Sequence, residues 1–323
     1  MRSSLAFVLV TTLAGCSSSH GMVNEQPDAP IVGDSGATPP ARGFQIMSPT
    51  VDVNPGSDLT YCYYFHTPNT SDLNIKKWAS HMTAGSHDLI VYLTRTDLQT
   101  PGSLSTAKCG LASDGPGPVW TYSAQGADYE APLPPDDGTG VPVGQLVKAG
   151  QSGFLQMHFL NTTASVLHAQ VELDAYAYDD GVQVTLAAPF FTLNTQIDLP
   201  AAALTPTMGT ASGDCNVASD AKFFVMTTYT HKQGVHTSIK DGATTVFDST
   251  TWEQPGAQHW NTSPFFSFSS GKLTYQCDYV NPNSYRIKYG DSVTTQEMCM
   301  ALGYYFPATD ATGHMCLDSV MLN

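Results

Sequence analysis

Four short segments of this chain carry side chains able to hold a transition metal. Gly85-Ser86-His87-Asp88-Leu89-Ile90-Val91-Tyr92 sets an imidazole and a carboxylate at the mouth of an apolar strand. Leu155-Gln156-Met157-His158-Phe159 places another imidazole inside a strand of bulky neighbours. In Thr228-Tyr229-Thr230-His231-Lys232-Gln233-Gly234 the residues Tyr229 and His231 are two apart, so in an extended strand both face one side and could reach one ion. Thr294-Thr295-Gln296-Glu297-Met298-Cys299 sets a thioether beside a cysteine, ahead of the apolar run 301–306. Imidazole and thioether together are soft donors of the kind that suit copper.

The elements that must position these groups read as strands. Runs rich in Val, Thr, Tyr and Phe recur at 59–65, 88–93, 154–159, 165–178 and 183–187. They continue at 223–230, 237–239, 265–268, 273–279, 285–289 and 300–306. Gly, Pro, Asn and Asp clusters bound them, and little helical periodicity intervenes. Ala169-Gln170-Val171-Glu172-Leu173 alternates as a half-buried antiparallel strand does. Long Pro/Gly/Asp loops at 96–118 and 130–143 separate some runs. This spacing predicts an all-β fold of sandwiches or jelly rolls. Pro189, Pro200 and Pro206 mark 188–207 as a linker between an N-terminal half, 43–187, and a C-terminal half, 208–323.

Taken in chain order, the four segments resemble the copper type II, ascorbate-dependent monooxygenases, the family of peptidylglycine α-hydroxylating monooxygenase and dopamine β-hydroxylase. The similarity spans roughly 43–316 and is strongest in the second half. There Tyr275-Gln276-Cys277-Asp278-Tyr279, Tyr289-Gly290 and the segment ending in Cys299 follow the family's order. The resemblance implies two tandem antiparallel β-sandwich (jelly-roll) domains with one copper each. It implies hydroxylation of a C–H bond of a small substrate by O2 at a copper held by His231 and Met298. A second copper, at His87 and His158, would relay an electron from ascorbate or an equivalent reductant. The same likeness pairs Cys62 with Cys109, Cys215 with Cys316 and Cys277 with Cys299.

Two of the six family ligands are changed. His87-Asp88 stands where the family has a His-His pair, and Tyr229-Thr230-His231 where it has His-x-His. Asp88 either ligates, favouring Cu(II), or orients a neighbouring imidazole from behind. Tyr229 is a hard donor that as a neutral phenol binds Cu(I) poorly. His236 is the nearest replacement donor, yet it lies on the opposite face of a regular strand unless the chain turns at 232–234. Thr227, Met300 and Leu302 occupy the places where the peptide-amidating branch anchors a carboxylate, so a peptidyl-glycine substrate is not expected. An alternative to catalysis is a copper- or ligand-binding protein that kept the fold, and a further one is a structural or adhesive surface module.

The ends and composition bound the setting. Arg2 followed by a short apolar run and Leu13-Ala14-Gly15-Cys16 reads as a lipoprotein signal, 1–15, with Cys16 as the lipidated residue. Residues 16–42 form a polar tether that cannot build a core. The expected location is the bacterial cell envelope, by sorting the outer membrane, with a lipid anchor as the only membrane contact. Setting Cys16 aside leaves six of the seven cysteines, an even number that suits disulfides in an exported chain. With 28 Asp plus Glu against 13 Lys plus Arg, nucleic acid is not expected as a partner. No Gly-rich phosphate loop and no Cys-x-x-Cys pattern is present. Asp136-Asp137 and Asp179-Asp180 sit in Gly-bearing loops and read as solvated turns.

Overall fold

Lys272–Asn281 shows how this chain makes sheet. Leu273, Tyr275, Cys277 and Tyr279 are buried, while Thr274, Gln276 and Asp278 between them are not. A period of two puts one row on a core and the other on solvent. A computed structural model describes residues 38–106 and 118–322, with His87 described as backbone alone. Among these residues there is no helix, and every regular element is a strand. The signal 1–15, Cys16, Cys109 and most of the tether lie outside the described residues.

The first half contributes two large sheets and one two-stranded one. The outer one runs Gly43–Met47, Val171–Ala177, Leu73–Met82, Val143–Val147 and Thr185–Leu186, with Asp128–Pro132 also paired to Leu73–Met82. The inner one runs Leu104–Ser105, Asp58–His66, Ser152–Leu160, Ser86–Leu93 and Val119–Ala124. Ile75, Trp78 and Leu173 meet Leu89, Val91 and Met157 between them.

In the second half the inner sheet runs Gln258–His259, Lys222–Tyr229, Met300–Phe306, Ala188–Leu193, His314–Leu317 and Val320–Leu322. Its outer sheet runs Thr207–Asn216, Lys272–Asn281, Gly234–Asp241 and Thr244–Ser249. Phe190, Phe223 and Ala301 pack there on Ile239, Leu273 and Tyr275. A third cluster joins the two inner sheets: Tyr64, Ile90, Trp120 and Phe154 lie against Phe191, Met300 and Leu302. The four large sheets therefore stack as layers, with the two inner sheets facing each other.

Several expectations change. Glu172 and Asp174 are buried, at 4% and 7% exposure, because Val171–Ala177 is flanked by strands on both sides and Gln45 Nε2 donates to Asp174 Oδ1 at 3.0 Å. The run 165–178 also breaks at Gln170, so Leu167–Ala169 pairs with Val51–Val53 instead. The stretch 188–207, marked by prolines as a linker, begins with Ala188–Leu193, a strand buried along its whole length in the second half's inner sheet. Residues 265–268 form no strand, only a bridge between Phe223 and Phe266.

Among the described residues, Cys215 is bonded to Cys316 and Cys277 to Cys299, with Cα atoms 6.1 and 5.8 Å apart. Cys62 is disulfide-bonded as well, and its expected partner Cys109 lies outside the described residues. The Cys277–Cys299 bond ties the outer sheet to the residue after Met298 across a sequence separation of 22. A loop of that size confines the unfolded chain by about 3 kcal/mol. The double substitution Cys277→Ala with Cys299→Ala is expected to lower the unfolding free energy by about that much in urea titration. An unchanged midpoint would show that the bond adds no stability.

Candidate functional site

The inner sheet of the first half places three ionisable groups around one ring. Asp88 lies directly across from His158 in the pairing of Ser86–Leu93 with Ser152–Leu160. On the other side Thr60 faces His158, and Asp58 is two residues along, on the same face. His158 Nε2 is 2.6 Å from Asp58 Oδ1, and its Nδ1 is 3.4 Å from Asp88 Oδ2. His158 and Asp88 are buried, at 4% and 3% exposure. The ladder slips between His158 and Phe159, whose partners are Asp88 and Ser86, so the backbone of His87 forms the extra residue of a bulge. The side chain of His87 lies outside the described part of the structure. Burial alone would lower the pKa of His158, but hydrogen bonds to Asp58 and Asp88, with their charges, raise it to about 9.

The second group is assembled around a buried carboxylate. Glu297, fully buried, accepts from the backbone N–H of His231 at 2.9 Å and of Gln233 at 2.7 Å, and from that of Met298 at 3.3 Å. The turn at 231–234 and the strand-like segment 296–298 are thereby held against each other. His231 Nδ1 lies 3.1 Å from the carbonyl oxygen of Gln296, an arrangement that keeps the proton on Nδ1 and the lone pair on Nε2. Tyr279 donates its hydroxyl to the Met298 carbonyl at 2.7 Å. A Cβ on Gly290 would lie 2.2 Å from the Gln296 side chain, so only glycine lets that residue close over the turn. Burial raises the Glu297 carboxyl to about 8 against the pull of the surrounding amides.

Tyr229 joins the two groups. Its ring lies edge-on to His231 with centroids 5.4 Å apart and edge-on to Trp120 of the first half at 6.3 Å. Met298 is buried in the cluster against which Tyr229 packs. Burial, and then the charge of Asp88, push the Tyr229 phenol well above its usual pKa. A phenol so firmly protonated is a poor metal ligand near neutral pH. Asp88 and Tyr229 both border a cavity of about 610 Å³ between the two halves.

The first group has a geometry that a metal ion would use. Two donors each about 2.0–2.2 Å from one tetrahedral ion are themselves about 3.4 Å apart. That is the separation of His158 Nδ1 and Asp88 Oδ2, long for a charged hydrogen bond. Asp58, bonded to the far nitrogen, stands where a carboxylate commonly orients a metal-bound histidine. At the second group one imidazole and one thioether remain, a soft pair that suits copper. Among the described residues no three His, Cys, Asp or Glu side chains form a ready-made metal set. A pair of donors is present at the first place, and at the second Glu297 ties together the two backbone segments that carry His231 and Met298.

Asp58 and Glu297 carry much of this arrangement, and neither is singled out by the spacing of the four segments. Glu297 stands between Gln296 and Met298, and its part shows only in its burial and the amides it accepts from. Asp58 opens a strand in a position typical of a loop acid. His236 joins neither group, because Asp278 at 2.9 Å and Asp248 at 2.7 Å hold it on the outer sheet. His259 lines the cavity.

No protein-family profile and no curated protein matches this chain. Among solved structures it is similar to the major capsid protein P2 of bacteriophage PM2, at 6% identity and a TM-score of 0.30, covering 81% of this chain and 97% of that one. It is also similar to the PBSX exported protein XepA, at 9% identity and a TM-score of 0.21, covering 83% and 89%. The tail fiber protein gp63.1 from an E. coli phage matches at 7% identity and a TM-score of 0.20, over 83% of this chain and 39% of that one. Overlaps at these scores carry no argument about fold or function.

Proposed function

We propose that this chain is a copper-binding protein on the plan of the ascorbate-dependent monooxygenases, hydroxylating a C–H bond of a small substrate with O2. Its two jelly-roll domains would face each other across the cavity that Asp88 and Tyr229 border. The observation that carries this reading is the 3.4 Å approach of His158 Nδ1 to Asp88 Oδ2, with Asp58 bonded to the opposite nitrogen. His158 and Asp88, with His87 beside them, would hold one copper, and His231 with Met298 the other. Copper, when bound, supplies one-electron redox chemistry and a site for O2. Asp58 keeps the Nε2 proton of His158 in place, the Gln296 carbonyl does the same at Nδ1 of His231, and the apolar cluster between the inner sheets excludes water. Lipid attached at Cys16 would keep the protein in the cell envelope, where ascorbate or an equivalent donor reaches it.

A second reading, copper or ligand binding without oxygenation, is favoured by one observation. Tyr229 remains a neutral phenol where a third soft donor is needed, and the Asp88 carboxylate favours Cu(II) over Cu(I). Ascorbate-dependent oxygen uptake by the copper-loaded protein separates the two. The enzyme consumes O2 in the presence of a hydroxylatable substrate and loses that activity in His158→Ala. Copper retained without such uptake leaves the binding role alone.

A further inference from the structure

We infer that the cavity between the two halves selects an uncharged aromatic molecule and rejects carboxylates and ammonium groups of the same shape. The inference rests on the cavity of the proposed oxygenase, but not on copper or on turnover. Its wall presents the rings of Trp78, Trp120, Tyr122, Tyr129, Phe224 and Tyr304. The polar tips of several are already satisfied within the protein. Trp78 Nε1 donates to Gln145 Oε1 at 2.6 Å, and Tyr122 shares hydrogen bonds with Ser80 at 2.8 Å and the Tyr129 carbonyl at 3.0 Å. Tyr304 donates to the Thr121 carbonyl at 2.9 Å. Trp78, Tyr122 and Tyr304 therefore offer faces and edges for stacking, not donors for an anion.

Charge completes the selection. Among the described residues no Lys or Arg lines the cavity, so a carboxylate would be stripped of water with no cation to meet it. The two acids that line it are both engaged elsewhere: Asp88 faces His158, and Glu130 receives Lys77 Nζ at 2.7 Å. An ammonium group would find no uncommitted counterion. His259 is held below its usual pKa by burial and so faces the cavity neutral at pH 7. With Gln125 and Asn261 it can exchange hydrogen bonds with a hydroxyl or carbonyl on the ligand. A volume of about 610 Å³ admits a two-ring molecule with room for a short polar arm.

Calorimetric titration of the full-length, copper-free protein with 2-naphthalenemethanol, 2-naphthoate and 2-naphthylmethylamine at pH 7 reads this directly. The alcohol is expected to bind at least about tenfold more tightly than either charged analogue. Ser123→Lys, a half-buried change at the cavity wall, is expected to raise naphthoate affinity and leave the alcohol nearly unchanged. Equal affinities, a preference for either charged analogue, or no binding of any of the three would overturn the inference. Because no copper is added, loss of oxygen uptake in the preceding experiment leaves this result standing, and failure here leaves the copper reading standing.

Discussion

Glu297→Ala is expected to cost at least about 3 kcal/mol of unfolding free energy, because each buried donor left without an acceptor costs about 1–3 kcal/mol. The carboxylate serves the amides of His231, Gln233 and Met298. All are drawn in around a fully buried side chain that water cannot replace. Chemical denaturation with the slope checked for two-state behaviour measures the loss. Glu297→Gln keeps the shape and one acceptor oxygen, so it should fall between wild type and alanine. An alanine variant within about 0.5 kcal/mol of wild type would mean that the turn and the Met298 segment stand without their strut. The same variant is expected to loosen His231 relative to Met298 and so to weaken copper binding by that pair.

His158→Ala has the second large effect. It removes the partner of two carboxylates, one of them buried, and breaking a buried charged pair costs about 3–5 kcal/mol. The pH dependence has a definite sign. The folded-state pKa of His158, about 9, lies above its unfolded value of 6.5, so the stability it contributes is complete below about pH 6.5. That contribution is lost as pH rises through about 9. Glu297, raised from 4.5 to about 8, acts in the same direction, its share falling between those two values. Wild type is therefore expected to lose stability steadily from pH 6 to pH 9, and His158→Ala to show a shallower slope. A wild-type stability that rises over that range would contradict both assignments.

Much of the sheet structure was legible because strands with one wet face announce themselves. Lys272–Asn281 falls where alternation predicts it, and Met300–Phe306, buried almost throughout, falls where its aromatic and aliphatic composition does. Ala188–Leu193 escaped for the opposite reason: it lies in the inner sheet with both faces covered, so it has no polar row, and Pro189 reads as a breaker. Thr207–Asn216 escaped because its residues are small and polar. Gly213 lies so close to the Tyr275 ring that a Cβ would meet the hydroxyl at 2.6 Å.

At the site, the order of the four segments pointed to His87, His158, His231 and Met298, and the folded chain sets His158 beside Asp58 and Asp88 and His231 beside Tyr229 and Gln296. Asp58 was not legible, since its role depends on a diagonal neighbour 100 residues away. Glu297 was equally hidden, because nothing in a sequence distinguishes an acid that faces three amides from one that faces water. Tyr229 was visible as a departure, but the Trp120 edge it rests against belongs to the other half of the molecule.

Copper content after loading with Cu(II) and gel filtration tests the central claim most directly. Two coppers per chain are expected for the wild-type protein, and one each for His158→Ala and Met298→Ala. Loss of the His158-dependent copper in Asp88→Asn, with only weakened binding in Asp58→Asn, would place Asp88 in contact with the ion and Asp58 behind the ring. A wild-type protein that retains no copper, or variants that retain as much as wild type, would contradict the account.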